Sequence, residues 1–393
     1  MLQGAIEKLP EAYEIIKQMR WSGDEGEATR AGRDALKHVL EDQMNNSVAE
    51  HLASVLACGQ DDRRNGAYRR RLLTRLGNVE LLVPRTRRFS GKGVIGAYVR
   101  RAPEVDTAIL RCFVLGHSTR KVALALVPLL GEQVSASTVS RVAKTLDLAV
   151  QAFHERQLRN RYRALLFDGV VLSRKTGAGA IRRPVLVILG LLRDGRKEII
   201  DWRLAQSESE EEWRLLFDNV YRRGLTAEGV EIGLVDGGKG LLAALSTCFP
   251  FLPVQRCWAH KVRNITDKVR QVDQEAVKRG LRAIYQASNL TQARRAAGRF
   301  ARAWEKPYPK AVACLRADLD QLLTFFRFRD PDWRKAVRTT NAIERRFREV
   351  RRRTRPMGVF SDRTSIERIL FAVFTHENRS QNVPPLFLVT QKS

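Results

Sequence analysis

The sequence contains no long apolar run and few cysteines. Its longest apolar stretches, residues 185–192 and 249–254, are far shorter than the ~18 residues that a membrane-spanning helix requires. The five cysteines are scattered and odd in number, which argues against a disulfide framework and predicts reduced thiols. The N-terminal segment lacks the basic start, apolar core and small-residue cleavage site of a secretory signal. We therefore expect a cytoplasmic protein without a membrane partner.

Acidic residues are scarce beside basic ones. The chain of 393 residues has 70 Lys and Arg against 43 Asp and Glu, which gives a formal net charge of +27. Apolar residues make up 44% of the chain, enough to build folded cores, so the basic excess is not that of a disordered tail. A folded protein with this charge is expected to bind a polyanion. Its length predicts roughly two to three domains.

The N-terminal part of the chain changes character near residue 59. Residues 1–58 have the spacing of one or two amphipathic helices. Residues 59–103 are rich in Arg and Gly and contain two short apolar runs around a turn, which predicts a basic β-hairpin.

Residues 104–150 predict a helical DNA-binding region. Three helical segments are expected at 104–115, 118–130 and 135–148, and the last two have the spacing of a helix-turn-helix. A three-helix packing module without DNA contacts would show the same pattern. In the DNA-binding interpretation, the last helix presents polar and basic side chains to a major groove: Ser137, Thr138, Ser140, Arg141 and Lys144.

Residues 160–261 alternate short β-branched runs with amphipathic segments. Three predicted strands are followed by a helix, a strand, a helix and a strand, which is the order of an α/β core of the ribonuclease H type. Residues 336–380 predict a basic helix and an apolar tail helix that complete this core, and the charged stretch 262–335 predicts an all-helical insertion domain. The expected fold class is multidomain, with a mainly α N-terminal helix-turn-helix region and an interrupted ribonuclease H-like catalytic core.

Two aspartates lie on strands that such a core places side by side. Asp168 is in the first strand and Asp236 ends the fourth, and these strands are neighbours at the centre of a ribonuclease H sheet. Glu344, on the later basic helix, is the candidate for a third carboxylate. Cutting a phosphodiester with two Mg²⁺ ions needs about three carboxylates from different elements, because Mg²⁺ prefers oxygen ligands in octahedral geometry.

Each acid also has an ordinary structural interpretation. Asp168 and Asp236 are each followed by glycine, and an Asp-Gly pair between apolar runs is a strong turn signal. Asn341 with Glu344 three residues later fits a helix cap with a capping-box glutamate. On the residues alone, the metal-site and structural interpretations both stay open.

Cys257 and His260 form a Cys-x-x-His pair that follows the second aspartate. Such a pair suggests zinc, but a structural zinc site needs four ligands, and the sequence has no second Cys-x-x-Cys or His-x-x-x-His pair. Packing, or a hydrogen bond beside the acidic site, is the preferred interpretation.

The predicted helix at residues 342–355 is rich in arginine. Helical spacing places Arg348, Arg351 and Arg355 on the same stripe as Glu344. In a chain of this net charge, the arginine run favours contact with DNA phosphates over a merely solvated face.

These motifs together resemble those of the Mutator-type bacterial insertion-sequence transposases, over nearly the whole chain. The matching pieces stand in family order: the basic segment ending LxVPRTR, the helix-turn-helix, Phe167-Asp168-Gly169, Glu212-Trp213, Val235-Asp236-Gly237, Gln255-Arg256-Cys257-Trp258-Ala259-His260-Lys261, and Thr339-Thr340-Asn341-Ala342-Ile343-Glu344-Arg345. The resemblance implies that Asp168, Asp236 and Glu344 are the catalytic acidic triad and that Cys257 and His260 are the family's near-site signature.

The resemblance also implies a reaction, a cofactor and partners. The reaction is strand cleavage at terminal inverted repeats, followed by attack of a 3′-hydroxyl on a second phosphodiester. The cofactor is a pair of Mg²⁺ ions held by the triad, with Asp168 shared, and Mn²⁺ can substitute. The partners are double-stranded DNA, both terminal repeats and target, and other copies of the chain in a homodimer or higher oligomer on nucleoid DNA.

Other functions fit part of the pattern. A catalytically decayed transposase, or a helix-turn-helix DNA-binding protein, would bind DNA without strand transfer. A structure-specific nuclease of the same fold would cut without joining ends. Converging carboxylates favour an enzyme, because a pure binder gains nothing from acids that face DNA phosphates.

Overall fold

The computed structural model describes residues 25–96, 99–115, 117–130, 133–176, 179–354 and 363–380. The chain divides into two compact units, one that ends at Thr145 and one that begins at Leu146. All five cysteines are free thiols in the structure. In the described part of the chain, no helix has both the length and the apolar character needed to cross a membrane.

The first unit combines a long helix, a hairpin and several short helices. Its elements are α1 (Glu25–Ala57), β1 (Arg64–Thr74), β2 (Gly77–Thr86), α2 (Pro103–Val114), α3 (Thr119–Ala125), α4 (Val127–Leu130) and α5 (Ala136–Lys144). The strands β1 and β2 pair in antiparallel register, which confirms the predicted hairpin. Met44 of α1 packs on the apolar face of the hairpin, formed by Leu72, Val79, Leu81 and Val83. The part of the predicted N-terminal helices before residue 25 lies outside the described residues.

The helices α2, α3 and α5 contact one another and form the helical cluster that the sequence predicts, but two boundaries differ. The predicted helix 118–130 is divided into α3 and α4, because Pro128 has no amide hydrogen to continue the ladder of α3. The predicted helix 135–148 ends at Lys144. Both the amide and the hydroxyl of Thr145 donate to the carbonyl of Val142, which tightens the last turn and ends α5.

The second unit is built on a mixed five-stranded sheet. Its first half contains α6 (Leu146–Glu155), β3 (Tyr162–Thr176), β4 (Gly179–Leu192), β5 (Lys197–Leu204), α7 (Glu210–Arg222), β6 (Ile232–Val235), α8 (Lys239–Cys248) and β7 (Val254–Arg256). The strand order is β5-β4-β3-β6-β7. β3 is antiparallel to β4 and parallel to β6, so the first and fourth strands of this unit are neighbours, as the sequence predicts.

The side chains of β3 alternate between the two faces of the sheet. Leu165 and Phe167 belong to the core formed with α7 and α8, which contribute Trp213 and Leu241 among others. Successive side chains of a strand point to opposite faces, so Asp168 lies on the face away from that core.

The second half of this unit is helical. Its helices are α9 (Trp258–Thr266), α10 (Gln274–Tyr285), α11 (Leu290–Trp304), α12 (Pro309–Ala317), α13 (Leu319–Leu322), α14 (Pro331–Ala336), α15 (Asn341–Thr354) and α16 (Arg363–Ser380). Residues 262–335, all of them described, contain helices and turns and no strand, which agrees with the predicted all-helical character of this stretch. α15 contacts β3, and α16 contacts β5 and α6.

A buried ionic cluster joins α6, β5 and α16. His154 Nδ1 lies 2.6 Å from Asp201 Oδ1, and His154 Nε2 lies 3.7 Å from Glu367 Oε2. Arg223 forms a second ion pair with Asp201, which is 1% exposed. Burial opposes protonation of His154, but its hydrogen bond to Asp201 and the negative charges of Asp201 and nearby Glu367 prevail and raise the pKa of His154 to about 9.

Candidate active site

Two aspartates lie at matching positions of neighbouring strands, Asp168 within β3 and Asp236 directly after β6. Phe167 of β3 pairs with Val235 of β6 in parallel register, so Asp168 and Asp236 are the next residues along the two strands. Neighbouring strands lie about 4.8 Å apart. The structure therefore brings together the two aspartates that the sequence singles out. Asp168 lies inside β3, so the turn interpretation of this residue is wrong.

Asp168 is buried, with only 3% of its surface exposed. This burial, together with the negative charges of Asp236 and Glu344, raises the pKa of Asp168 to about 7, while His260 and a hydrogen bond from Thr340 act in the opposite direction. A positive charge placed beside such a carboxyl favours its ionised form. The surroundings of Asp168 therefore suit a carboxylate that binds a cation.

Glu344 lies in the first turn of α15, where the helix dipole favours an acidic side chain. Its side chain is 45% exposed, and Oε1 is 4.0 Å from Nε2 of His260. The helix is anchored by the predicted apolar stripe of Ile343, Phe347 and Val350, each fully buried. Because α15 packs on β3, Glu344 is close enough to Asp168 to affect its pKa.

Cys257 links the segments that carry Asp236 and Glu344. Its amide donates to the carbonyl of Val235 at 2.7 Å, one residue before Asp236. Its thiol lies 3.5 Å from the hydroxyl of Thr340 and accepts a hydrogen bond from the Thr340 amide at 3.4 Å. Thr340 directly precedes α15. These contacts support the packing interpretation of the Cys-x-x-His pair.

His260 supplies positive charge beside the carboxylates. The neighbouring Cys257 thiol, and then Asp168 and Asp236, raise the pKa of His260 to about 9, against the effect of burial. Nδ1 of His260 is buried without a partner of hydrogen-bond geometry, so the thiol acts on the ring by proximity rather than through a well-formed bond. At neutral pH the imidazolium offsets part of the negative charge at this edge of the sheet.

A fourth carboxylate, Glu208, lies at the same edge and is absent from the sequence prediction. A Cβ atom built on Gly169 would lie 2.6 Å from the Glu208 carboxylate, so the two residues are in close contact. Partial burial and the negative charge of Asp236 raise the pKa of Glu208, although its side chain still reaches solvent. The only sequence signal is the glycine after Asp168, which leaves room for a neighbour.

The carboxylates do not converge on one point. Within the described residues, no three His, Cys, Asp or Glu side chains come close enough together to enclose a metal ion. Asp168 and Asp236 are adjacent, whereas Glu344 lies beside His260 and Glu208 lies against Gly169. Repulsion between their negative charges favours this separation of the carboxylates.

The arginine run of α15 is divided between solvent and the interior. Arg348 and Arg351 are exposed on the stripe of Glu344, as predicted, and Arg355 lies outside the described residues. Arg346 and Arg353 are buried instead, and Arg353 pairs with Glu349 at 2.6 Å. Part of the run therefore stabilises the helix and is not available to DNA.

The predicted recognition residues share one face of α5. Ser135 caps this helix by accepting a hydrogen bond from the Thr138 amide. Ser137, Arg141 and Lys144 are exposed at helical spacings of four and three residues, and Thr138 and Ser140 are partly exposed. The opposite face is buried and consists of Val139, Val142 and Ala143.

Comparison with known proteins shows that one family model matches most of the chain. The model of the Mutator family of transposases matches residues 13–382. The transposase for the insertion sequence element ISRM5 of Rhizobium meliloti (strain 1021) is 31% identical over 356 residues, 88% of each chain. The transposase for IS256 in transposon Tn4001 of Staphylococcus aureus is 30% identical over 349 residues, 87% of this chain and 88% of its own.

A third relative has similar coverage. The transposase for IS905 of Lactococcus lactis subsp. lactis (strain IL1403) is 29% identical over 352 residues, 87% of this chain and 89% of its own. The similarity in all three cases extends through both compact units.

Proposed function

Because the chain belongs to the Mutator family of transposases, we propose that it binds the terminal inverted repeats of its insertion sequence and catalyses metal-dependent strand cleavage and strand transfer. The family implies a DNA substrate. The observation that carries the proposal is the adjacency of Asp168 in β3 and Asp236 directly after β6, with Glu344 and His260 beside them. We expect the protein to act on nucleoid DNA in the cytoplasm.

The second unit is proposed to be a ribonuclease H-like core made of residues 160–261 and 336–380, with 262–335 as an insertion. The strand order and the parallel pairing of β3 with β6 support this assignment. The first unit supplies the proposed N-terminal helices (1–58), the basic hairpin (59–103) and, with the following residues up to 150, the helix-turn-helix region.

Asp168, Asp236 and Glu344 are the proposed ligands of two Mg²⁺ ions, for which Mn²⁺ can substitute. The donor chemistry suits Mg²⁺, since all three side chains offer carboxylate oxygens and a bound cation would relieve the crowding of negative charge around buried Asp168. When bound, the ions activate the attacking oxygen and stabilise the leaving oxygen of the phosphodiester.

The other side chains of the site hold the carboxylates in position and offset part of their negative charge. Asp168 is held by the sheet and by the hydrogen bond from Thr340, and Cys257 fixes the segment before α15 against the end of β6. His260, charged at neutral pH, lies beside the carboxylates and limits their repulsion. One site can serve cleavage and joining, because both displace an oxygen at phosphorus and differ only in the nucleophile.

DNA contacts are proposed on two elements. The exposed face of α5, with Ser137, Thr138, Arg141 and Lys144, is assigned to the terminal repeat. The exposed arginines of α15, Arg348 and Arg351, together with Arg355, are assigned to phosphates near the cleavage point. Synapsis of two ends requires at least two copies of the chain, so we propose a homodimer or higher oligomer on DNA.

The experiment that tests the proposal is a strand-transfer assay. Purified full-length protein is incubated with Mg²⁺ or Mn²⁺ and labelled DNA that carries the element's end, beside Asp236→Asn. Metal-dependent joined products that disappear in the variant support the proposal. Cleavage without joining would indicate a nuclease, and tight end binding without cleavage in either metal would indicate a decayed transposase or a DNA-binding protein.

A further inference from the structure

A groove rich in arginine lies on the helical stretch 262–335 and shares no residue with the candidate active site. It is formed by α11, α12 and the start of α13 and has a volume of about 680 Å³. None of the described residues that line it is acidic. Five of them are arginines: Arg294, Arg295, Arg299, Arg302 and Arg316.

The five arginines fall into two groups. Arg294 pairs with Asp320 at 2.9 Å, and Arg316 pairs with Glu305. Arg295, Arg299 and Arg302 are exposed and form no hydrogen bond or ion pair with the described residues. Three positive charges on one side of the groove are therefore available to an external anion.

Helix α11 carries positive charge that no acidic residue of the helix offsets. The helix has four arginines and no acidic residue in fifteen positions. Arg295 and Arg299 are four residues apart, a spacing at which like charges repel each other and destabilise a helix. No ion pair of Arg295 or Arg299 within the described residues offsets this repulsion, whereas a bound polyanion would.

One residue that lines the groove is a glycine that packing does not require. Gly298 lies in the interior of α11, where glycine is the poorest helix former after proline. A Cβ atom at this position would meet no atom within 4 Å. The missing side chain leaves the helix backbone open to an occupant, since glycine permits close approach.

We propose that this groove binds the sugar-phosphate backbone of duplex DNA without sequence preference, an inference that rests on the proposed function because it takes DNA as the substrate. Arg295 and Arg302 are separated by about 10.5 Å along the helix axis, which corresponds to roughly three steps of 3.4 Å along one DNA strand. The non-arginine lining consists of glycine, alanine and leucine, which have no side-chain donor or acceptor for the hydrogen-bonding groups of base edges.

The test is the salt dependence of binding of the full-length protein to a 40-base-pair duplex of random sequence, without divalent metal. The variant is Arg295→Gln/Arg299→Gln/Arg302→Gln. Loss of three phosphate contacts should reduce the slope of log K against log [salt] by about 2.7 and weaken binding on the order of 10²-fold at 0.1 M salt.

The matched control removes the same charge elsewhere on the second unit. Arg193→Gln/Arg214→Gln/Arg222→Gln replaces three exposed arginines outside the groove and should leave the slope close to that of the parent protein. Equal losses in both triple variants would mean that only net charge matters and would overturn the proposal. An unchanged slope in the groove variant would overturn it as well.

Gly298→Leu tests whether blocking the groove weakens DNA binding when the charge of the protein is unchanged. Leucine is the better helix former, so the thermal midpoint should stay equal or rise. The side chain should obstruct the groove and weaken binding to the random duplex at least 10-fold, and undiminished binding would contradict the assignment. Failure of the parent protein to bind any DNA would instead remove the proposed function itself.

Discussion

The thiol of Cys257 and the backbone amide of Thr340 form a hydrogen bond at 3.4 Å between residues 83 positions apart in the chain. This contact holds the start of α15, which carries Glu344, against the segment that follows Asp236. The proposed catalytic geometry therefore depends on a buried thiol that need not contact the substrate.

Cys257→Ala should lower stability and activity together. Removal of the thiol leaves the buried Thr340 amide without its acceptor, which costs about 1–3 kcal/mol. Cys257→Ser keeps an acceptor at this position and should retain more stability in chemical denaturation. If the pair instead held zinc, EDTA would lower the unfolding midpoint of the parent protein, and we expect no such effect.

Asp168→Asn and Glu344→Gln should each keep end binding and abolish strand transfer. Both substitutions remove a proposed metal-ligating charge and keep the shape of the side chain. Footprinting on the terminal repeat and a joining assay measure the two properties separately. Asp194→Asn, an exposed carboxylate in the turn between β4 and β5, is the matched control and should remain active. Substantial joining by either triad variant would refute the assignment.

Gly169→Ala should disturb the site through Glu208. The new methyl group would lie 2.6 Å from the Glu208 carboxylate, which must move away from the edge of the sheet. Glu208→Gln is expected to lower metal affinity or activity by about 10- to 100-fold, as for side chains that support a metal site from outside its ligand set. Mn²⁺ affinity can be measured by titration with and without DNA. Equal affinity in Glu208→Gln and the parent protein would exclude this role.

Arg141→Ala/Lys144→Ala should weaken binding to the terminal repeat. Both side chains are exposed on α5, away from its buried Val139 face, so the fold should be unaffected. Loss of discrimination between the repeat and random duplex in a competition assay would identify the recognition helix. Unchanged discrimination would favour the interpretation of α2, α3 and α5 as a packing module.

The stability of the second unit should fall as the pH rises from neutral to alkaline. The pKa of His154 is about 9 in the folded protein against an ordinary value of 6.5, so protonation favours the folded state. This contribution is complete below pH 6.5, is lost as the pH rises through 9, and amounts to at most about 3 kcal/mol. Asp201 has a lowered pKa and stays ionised in this window. Denaturation between pH 6 and pH 10 should show the decrease in the parent protein and a smaller decrease in His154→Gln, in which His260, whose pKa is also raised to about 9, still contributes.

The local sequence pattern was sufficient to predict most helices and strands and part of the candidate active site. The hairpin, the order of strands and helices and the buried stripe of α15 follow from hydrophobic periodicity, because burial of one face is encoded at spacings of two or of three to four residues. The adjacency of Asp168 and Asp236 followed from strand order, since parallel strands in register align the residues that follow them.

Sequence alone determined the type and order of most elements, the excess of positive charge and the choice of Asp168, Asp236 and Glu344 as candidate acids. The tertiary structure decided which distant side chains meet. Glu208 reaches Gly169 and Cys257 reaches Thr340 only because packing brings separate segments together, and no local spacing records such contacts. Likewise, the groove on α11 becomes visible only when α12 and α13 form its other side. Hydrophobic periodicity predicts which face of a helix or strand is buried. Which other element packs on that face depends on the shape and chemistry of the whole core.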